Sequence, residues 1–301
     1  MMKRCLPLLL AGLTVPAYAQ TPAVRMMPDG SRDMYVGLGV QSRPFYEGAG
    51  VSRTSAVLAL QVQWSNGIFI SGSSAGWHLG QEPGLEYGPL VAIDAGRTRS
   101  GAGKSLLGDV GGNGVNGGGL LPSMIDPGLT PPTDVPAPRV AGTGRARLDG
   151  MPDIDARLTG GGFINYYLAD STRLMGTVLY GTGESHRGAL AQVNLQHVLH
   201  TLAPHHTVQL TAGLTWANGD YNRTYFGVTG ANFQTSGNRV YRPGGGLKDS
   251  HVGVRWSWAL SNDWILATTV TAARLHGEAA ASPLTERRTQ LTATTALAYR
   301  F

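Results

Sequence analysis

Serine, histidine and glycine clusters in this chain have the residue types that catalytic and nucleotide-binding motifs use. Residues 72–76 (GSSAG) fit the pattern that activates a serine nucleophile, and residues 112–117 (GNGVNG) fit the dinucleotide-binding pattern. Both patterns need a strand that turns directly into a helix, because that turn presents the serine or the helix N-terminus to the substrate. No helical hydrophobic period follows either segment, and no Ser-His-acid set stands out. The sequence therefore predicts that the protein is not an enzyme.

The eight histidines are the other candidates for chemistry. His197 and His200 are three residues apart, a spacing that places them on opposite faces of a strand and prevents joint chelation without a bulge. His205 and His206, in the turn that follows, could hold a metal weakly together with His200, but solvation in a turn is the simpler interpretation. The sequence therefore predicts neither a metal ion nor any other cofactor.

The amino-terminal end of the chain has the features of an export signal. Lys3 and Arg4 precede an apolar run, and residues 17–19 (AYA) form the small-x-small pattern of a cleavage site, so residues 1–19 are interpreted as a signal peptide cleaved after Ala19. Cleavage removes Cys5, the single cysteine, and lowers the net charge from +5 to about +3. Disulfide and thiolate chemistry are thereby excluded, and the remaining charge is too small to indicate a nucleic-acid partner.

The carboxyl-terminal residues 289–301 (TQLTATTALAYRF) alternate apolar and polar side chains up to a final aromatic residue. This tail resembles the assembly signal of bacterial outer-membrane barrels, in which a polar residue, a small residue and two aromatic residues hold fixed places. Those places are occupied by Thr294, Ala296, Tyr299 and Phe301, with alanine where glycine is usual. The expected location is the outer membrane, with the barrel-assembly machinery, outer-membrane lipid and lipopolysaccharide as partners.

Between the two ends, segments of about ten residues alternate apolar and polar side chains and are separated by turns. Beyond the signal there is no apolar run of about eighteen residues, so membrane helices are excluded. Only helices and closed barrels satisfy every backbone polar group inside lipid. The pattern therefore predicts an all-β fold, a transmembrane antiparallel up-and-down β-barrel, and a soluble β-sandwich is the alternative.

The polar side chains that alternate with the apolar stripes are expected to face the lumen of such a barrel. The expected lumen lining comprises Gln61, Gln63, Gln192, Asn194, Gln196, Gln209 and Arg255. Glutamine and asparagine in this number indicate a wet or hydrogen-bonded interior, which a soluble sandwich would not need.

Turns and dyad repeats indicate eleven strands. The strands are expected to start near Met34, Thr54, Ile68, Leu85, Pro152, Thr172, Gly188, His206, Ser250, Trp264 and Arg287. Bacterial single-chain barrels have even strand numbers, so one strand is missing from this count, most plausibly where Gly72 to Gly80 could hide a turn. The prediction is twelve strands, with ten as the alternative.

Loop lengths predict the orientation of the barrel, because short turns lie on the periplasmic side of such proteins and long loops lie outside. The expected barrel spans residues 34–301, preceded by a periplasmic segment at 20–33. Its long external loops are expected at about 98–150, which is rich in Gly and Pro, and at about 218–249. Several aromatic residues of the second loop either form a contact surface or cap the barrel, and capping is favoured.

Three motifs stand in the last third of the chain: Tyr225-Phe226-Gly227-Val228-Thr229, Gly246-Leu247-Lys248-Asp249, and the terminal Ala298-Tyr299-Arg300-Phe301. These motifs resemble those of the MipA/OmpV family of outer-membrane proteins. The resemblance extends to the amino-terminal half through residues 37–40 (GLGV) and 44–48 (PFYEG). The departure from the family is the Gly/Pro-rich stretch at about 100–145, which is longer than the family usually has.

This resemblance implies a non-enzymatic scaffolding protein that binds a membrane-bound lytic transglycosylase and a murein synthase near the peptidoglycan. A scaffold for periplasmic enzymes needs periplasmic surface, and residues 20–33 and the turn near 201–206 are the obvious candidates. Two other functions remain open from the residues alone. One is a small channel through the polar lumen, and the other is surface recognition or adhesion through the external loops.

Overall fold

The structure is a computed structural model that describes residues 34–64, 66–82, 84–98, 101–102, 107–108, 147–181 and 188–301. The expected signal peptide, the segment 20–33 and most of the Gly/Pro-rich loop lie outside the described residues. Of the helices within the described ranges, none combines the length and the apolar composition needed to cross a membrane.

Strands dominate the described residues. They are β1 (Tyr35–Pro44), β2 (Ser52–Gln63), β3 (Ile68–Ser71), β4 (Ser74–Trp77), β5 (Gly80–Glu82), β6 (Leu85–Asp94), β7 (Arg97–Thr98), β8 (Gly101–Ala102), β9 (Leu107–Gly108), β10 (Arg157–Ala169), β11 (Thr172–Gly181), β12 (Ala189–Ala203), β13 (His206–Ala217), β14 (Gly246–Ala259), β15 (Trp264–Leu275) and β16 (Thr289–Arg300). Three short helices are described as well: α1 (Gly219–Phe226), α2 (Gly230–Ser236) and α3 (Gly277–Ala281).

Twelve of these strands close into an antiparallel barrel, which confirms the predicted fold and strand number. Closure occurs at β1, where Tyr35 pairs with Arg300 of β16 on one side and with Gln61 of β2 on the other. The twelfth strand, absent from the initial count, is β4 together with its continuation β5, and both pair with β6. It lies in the stretch where a hidden turn was expected.

Alternation of side chains with period two explains why these segments form the wall of a transmembrane barrel. On β14, Val252 and Val254 point outward and are 59% and 47% exposed, whereas His251 and Arg255 point inward and are buried. The outer face is apolar and the inner face polar, the reverse of a soluble protein. Exposed aromatic residues lie near strand ends on the outer face: Trp64, Trp216, Trp258, Trp264, Tyr180 and Tyr299.

The two ends of the barrel differ. The end that holds Phe301, here called the C-terminal end, has short turns, at Asn66–Gly67, Gly84, Asp170–Ser171, Pro204–His205 and Ser261–Asp263. The opposite end, here called the loop end, carries the long connections and all three helices. This asymmetry matches the pattern from which the orientation was predicted.

Two strand starts differ clearly from the sequence prediction. β10 begins at Arg157 and not near Pro152. β14 begins at Gly246 and not near Ser250, because its ladder with β13 continues through Thr215 opposite Asp249 and Ala217 opposite Gly246. The Gly246–Asp249 motif is therefore part of the barrel wall and not of a loop. Buried polar partners for Lys248 and Asp249, described below, stabilise this extension of the strand.

Candidate functional site

The loop end of the barrel is capped by helix α1, which carries the aromatic residues of the second long loop. Asn218 caps the helix, since its Oδ1 accepts hydrogen bonds of 2.9 Å from the backbone N–H of Tyr221 and of Ala189. Tyr225 and Phe226 are buried, and they form an apolar cluster with Leu275, Ala279 and other residues. The helix is thereby attached to β12 and folded inward.

Lys248 ties the cap to the wall. Its ammonium group is an ion-pair partner of Glu47, on the β1–β2 loop, and lies 3.3 Å from Asp249 Oδ2. The Tyr221 hydroxyl donates to Glu47 at 3.4 Å, so the same carboxylate also contacts α1. Lys248 and Asp249 are each 2% exposed at the side chain. A buried charge of this kind is tolerated because opposite charges lie against it, and the motif therefore has a structural role in holding loop, helix and strand together.

Tyr225 is held by a second set of charges from the other side of the barrel. Its hydroxyl donates a hydrogen bond of 2.5 Å to Asp94, and Asp94 also accepts a hydrogen bond of 3.0 Å from the guanidinium group of Arg157. Its carbonyl oxygen accepts from Arg97 at 2.7 Å. Burial, followed by the charge of Asp94, raises the pKa of Tyr225. Residues 225–228 are thus buried contacts of the cap and not an exposed recognition surface.

The inner faces of β10 to β14, here called the packed wall, carry buried polar side chains that bind one another. Arg173 is fully buried, and its Nε donates to Gln196 Oε1 at 2.6 Å. The Tyr167 hydroxyl donates to Glu86 at 2.8 Å and accepts a longer 3.5 Å contact from Arg173. Such a network fills the interior of the barrel with polar side chains that are hydrogen-bonded to one another.

A second part of the packed wall centres on His251. Its Nε2 lies 2.7 Å from Asn194 Oδ1, and its Nδ1 lies 3.1 Å from Asp249 Oδ1. Asp249 Oδ1 also accepts a hydrogen bond of 3.1 Å from the hydroxyl of Thr215. Because Asp249 contacts Lys248 as well, the packed wall is continuous with the cap.

The inner faces of β15, β16, β1 and β2, here called the hydroxyl wall, are built differently. Its partly exposed polar side chains are Thr269, Thr292, Thr294, Gln41, Ser55, Arg43 and Arg53, whereas Thr271 and Gln61 on the same face are buried. Gln41 Nε2 donates to Thr294 at 3.1 Å, and Arg255 of β14 donates to Thr269 at 3.1 Å where the two walls meet. At its C-terminal end the hydroxyl wall is closed by a buried apolar cluster around Tyr35, which is 0% exposed.

The residues expected to line the lumen lie on the inner face of the barrel. Gln61, Gln192, Asn194, Gln196, Gln209 and Arg255 are all buried, and Gln63 is partly exposed. In the packed wall these side chains fill the interior. A conducting lumen remains a prediction that this burial does not favour.

The four residues of the expected assembly signal divide between the two faces of β16. Thr294 and Ala296 point inward, whereas Tyr299 and Phe301 are exposed. Ala296 pairs with Gly39 of β1, and a Cβ atom at Gly39 would lie 2.7 Å from the Ala296 Cβ atom. Close approach of the two strands explains why this position of β16 requires a small residue. Recognition by assembly machinery stays a prediction.

The hairpin formed by β12 and β13 projects at the C-terminal end. β11 begins at Thr172, opposite His197, whereas β12 runs on through Ala203. The register with β13 shifts between Leu199 and Ala203, so this stretch lies opposite only Val208 to His206 and extends past the β10–β11 turn by a few residues. On its other side β13 pairs with β14 as far as His206, opposite Trp258, so the hairpin ends level with β14. His206, at the start of β13, attaches the hairpin to β14, because its imidazole ring stacks on Trp256 and Trp258. The ring centroids are 5.7 and 5.3 Å apart, respectively.

The groups that first suggested chemistry have structural roles where the structure describes them. Ser74 follows a turn between two strands and donates to the Ser71 carbonyl at 2.8 Å, and no helix follows it. His197 Nδ1 lies 2.8 Å from the hydroxyl of Thr172. Within the described ranges no group of three or more histidine, cysteine or acidic side chains is placed to hold a metal ion. Residues 112–117 lie outside those ranges.

Comparison with protein families identifies the chain. The family model described as MltA-interacting protein MipA matches residues 36–301. The chain belongs to the MipA family. The match covers the whole barrel and confirms the resemblance seen in the sequence. Family membership and the barrel fold together support a location in the outer membrane.

Several solved structures similar to this MipA-family chain are outer-membrane barrels of low sequence identity. The translocator domain of the autotransporter NalP from Neisseria meningitidis has 10% identity and a TM-score of 0.41, with 90% of this chain and 89% of that chain covered. The COG4313 outer membrane channel from Pseudomonas putida F1 has 9% identity and a TM-score of 0.39, with 90% and 96% covered. A search of curated proteins finds no match.

Three contacts of this MipA-family barrel escaped the sequence analysis: the Lys248–Glu47 ion pair, the His206 stack and the Arg43–Arg53 pair. Lys248 and Glu47 were each part of a recognised motif, but the two motifs are 201 residues apart along the chain. His206 followed by a Trp-rich strand was a usable signal for the stack. Arg43 and Arg53 could have been paired from the single connection, residues 45–51, that joins β1 and β2.

Proposed function

We propose that this protein is a non-enzymatic outer-membrane anchor that holds a murein hydrolase of the lytic transglycosylase class, and with it a murein synthase, close to the peptidoglycan. The description of its family names an interaction with MltA, which motivates the choice of partner. The observation in the structure that carries the proposal is the projecting β12–β13 hairpin, because a scaffold needs surface on the side where its partners are.

The orientation follows from the two ends of the barrel. Short turns face the periplasm in such barrels, so the C-terminal end is the periplasmic one. On that side most turns are only a few residues long, and the β12–β13 hairpin extends past the neighbouring β10–β11 turn. Its tip, Ala203, Pro204 and His205, is exposed. His205 has a backbone φ of 65°, which fixes the turn in a defined shape.

The other two functions fit the structure less well. A conducting pore would need an open lumen, but Arg173, Gln196 and Asn194 are buried in the packed wall. Recognition of an external partner through the aromatic loop would need exposed rings, but Tyr225 and Phe226 are buried in the cap. These observations favour the anchor over the channel and the adhesin.

Binding of the folded barrel to a purified lytic transglycosylase tests the proposal. We expect the native protein, immobilised in detergent micelles, to retain the enzyme. Pro204→Glu should weaken binding by about ten-fold or more, because a charged side chain at the centre of a small interface removes its principal contacts.

Asn262→Glu is the matched control, since Asn262 is an exposed residue of another turn at the same end. It should bind as the native protein does. Both variants should show the change in electrophoretic mobility on heating that a folded barrel gives. The proposal is wrong if the native protein does not retain the enzyme, or if both variants bind equally well.

A further inference from the structure

We infer that the outer face of the barrel binds the phosphate groups of lipopolysaccharide through three arginines, here called the rim cluster, where β15 and β16 meet the loop end. Arg274 ends the outward stripe of β15, and Arg287 and Arg288 belong to the connection that leads into β16. All three residues are exposed. The cluster lies at the opposite end of the barrel from the β12–β13 hairpin, so it is independent of the anchoring function.

Arg274 is a charged residue on an otherwise uncharged face. It follows Val270 and Ala272 on the outward stripe of β15. The outward positions from Ser250 to Trp258 on β14 and from Thr289 to Tyr299 on β16, the two strands that pair with β15, hold apolar, aromatic, serine and threonine residues. A lipid-facing charge is costly at the midplane of a membrane and is tolerated near its surface. Arg274 is therefore expected at the level of the lipid headgroups.

The length of β15 agrees with that level. Trp264, at the start of the strand, belongs to the exposed aromatic residues of the periplasmic boundary, and its ring contacts Tyr299 with a centroid distance of 5.4 Å. Arg274 lies ten residues later on the same face, which is about 33 Å along a strand that rises about 3.3 Å per residue. At a tilt of about 40° this spans about 25 Å across the membrane, the height of the apolar band of such barrels. Trp264 and Arg274 thus mark its two boundaries.

Hydroxyl groups flank Arg274 on both neighbouring strands. In the register of the sheet, Arg274 is the direct partner of Ser250 on β14 and of Thr289 on β16. The Ser250 hydroxyl lies 2.8 Å from His276 Nε2, whereas Thr289 is exposed. A guanidinium group presents two parallel N–H donors that match a pair of phosphate oxygens, and a hydroxyl group can donate to another oxygen. The register thus places a charged donor beside a neutral one on the outer face.

Positive charge exceeds negative charge around the connection from β15 to β16. A fourth arginine, Arg239, reaches this connection, since its guanidinium group donates to a carbonyl of α3 at 3.3 Å. The carboxylates of the connection are Glu278 and Glu286. Glu278 accepts a hydrogen bond of 2.7 Å from the Tyr241 hydroxyl, and Glu286 accepts one of 2.9 Å from the backbone N–H of Gly50. Four arginines against two carboxylates give this part of the rim a positive potential.

Lipopolysaccharide is the source of phosphate that this position favours. It forms the outer leaflet of bacterial outer membranes, and its lipid anchor carries phosphate groups at the headgroup level, where Arg274 is expected. Below Arg274 the outer face is apolar, and Val270 and Leu291 are 39% and 58% exposed. A ligand that combines phosphate groups with acyl chains therefore matches both the rim cluster and the surface beneath it, whereas free phosphate would match the arginines alone.

Titration of the folded protein in uncharged detergent with fluorescently labelled lipopolysaccharide, followed by anisotropy, tests the inference. The native protein should bind lipopolysaccharide more tightly than the same lipid with its phosphate groups removed. Arg274→Gln should weaken binding by about five-fold, and Arg274→Gln combined with Arg287→Gln by about twenty-five-fold, the size expected for arginines at an anionic membrane surface. Arg274→Lys keeps the charge but loses the paired donors, so its affinity should fall between those of the native protein and Arg274→Gln.

Arg223→Gln is the matched control, because Arg223 is an exposed arginine at the same end whose charge is paired with Asp220 on α1. It should bind lipopolysaccharide like the native protein, and every variant should keep the heat-dependent mobility of a folded barrel. The comparison of the two forms of lipopolysaccharide uses the native protein alone and so needs no variant that folds. Equal binding of the two forms, equal weakening by Arg274→Gln and Arg223→Gln, or tighter binding of phosphatidylglycerol than of lipopolysaccharide would each overturn the inference.

Discussion

In the packed wall Arg173 is fully buried and donates to Gln196, whereas in the hydroxyl wall Arg43 and Arg53 face each other and remain partly exposed. Both walls belong to the same barrel and both present polar residues inward. In the packed wall the buried Arg173 donates hydrogen bonds to side chains of two other strands, which fixes its position in the interior. In the hydroxyl wall two like charges are direct partners in the register of β1 and β2. Inward polarity in a barrel is therefore not by itself a sign of a channel.

The largest effect should come from Lys248, at the upper edge of the packed wall. Lys248→Met leaves the buried Asp249 and the partly buried Glu47 without their counter-charge. We expect a loss of about 3–5 kcal/mol in the free energy of unfolding, the range for breaking a buried ion pair. Urea unfolding in detergent micelles, followed by tryptophan fluorescence, measures it.

Arg223→Met provides the comparison for Lys248, since Arg223 forms an exposed ion pair with Asp220 on α1. Its loss should cost no more than about 0.5 kcal/mol. Equal losses in the two variants would show that the Lys248 cluster does not hold the cap.

The same substitution in the two walls should have opposite outcomes. Arg173→Gln removes the donor to Gln196 and to Tyr167 in a dry interior, so we expect a loss of about 2–3 kcal/mol. Arg53→Gln relieves a like-charge contact and should change stability by about 0.5 kcal/mol or less, toward higher stability. The unfolding midpoints of both variants, measured at low ionic strength, test this difference. A large loss of stability in Arg53→Gln would mean that Arg53 is held by stabilising contacts, as Arg173 is.

A smaller effect is expected at the seam where β1 meets β16. A Cβ atom at Gly39 would lie 2.5 Å from the Thr295 carbonyl oxygen, so Gly39→Ala forces the two strands apart. We expect a cost of about 1–3 kcal/mol, as for overpacking elsewhere. The fraction of protein that keeps its folded mobility before heating reports the change.

Gly160→Ala is the matched control for the seam, because a Cβ atom at Gly160 meets nothing within 4 Å. Its stability should stay within about 0.5 kcal/mol of the native value. A cost at Gly160 equal to that at Gly39 would contradict the explanation given for the small residue at Ala296.

The smallest effect should be an alkaline loosening of the cap. Burial raises the pKa of Tyr46, and burial together with Glu278 raises the pKa of Tyr241 to about 12. The folded state therefore favours the neutral phenol over tyrosinate. The contribution of these two tyrosines to stability is complete at pH values below 10.0, the ordinary pKa of tyrosine, and is lost as the pH rises above that value. Ultraviolet absorbance of tyrosinate and unfolding temperature should change together above about pH 10, and Tyr46→Phe should reduce the loss.

Much of the barrel was predictable because its signals are local. The alternation on β14 and β16 and the short turns follow from period-two patterns within one segment. The strand formed by β4 and β5 was missing from the count because each part is only a few residues long and Gly72, at the turn before it, weakens the dyad pattern. The start of β14 was placed too late because Lys248 and Asp249 look like loop residues until their buried partners are known.

By itself the sequence determined the class of fold, the expected membrane location, the family and the even strand number, because these depend on residue period, chain ends and motifs. Only the tertiary structure decided that Lys248 meets Glu47, that Tyr225 and Phe226 fold inward as a cap, and that the two walls differ. These features depend on the register between strands and on contacts between segments as much as about 200 residues apart, and the period within one strand carries no information about either.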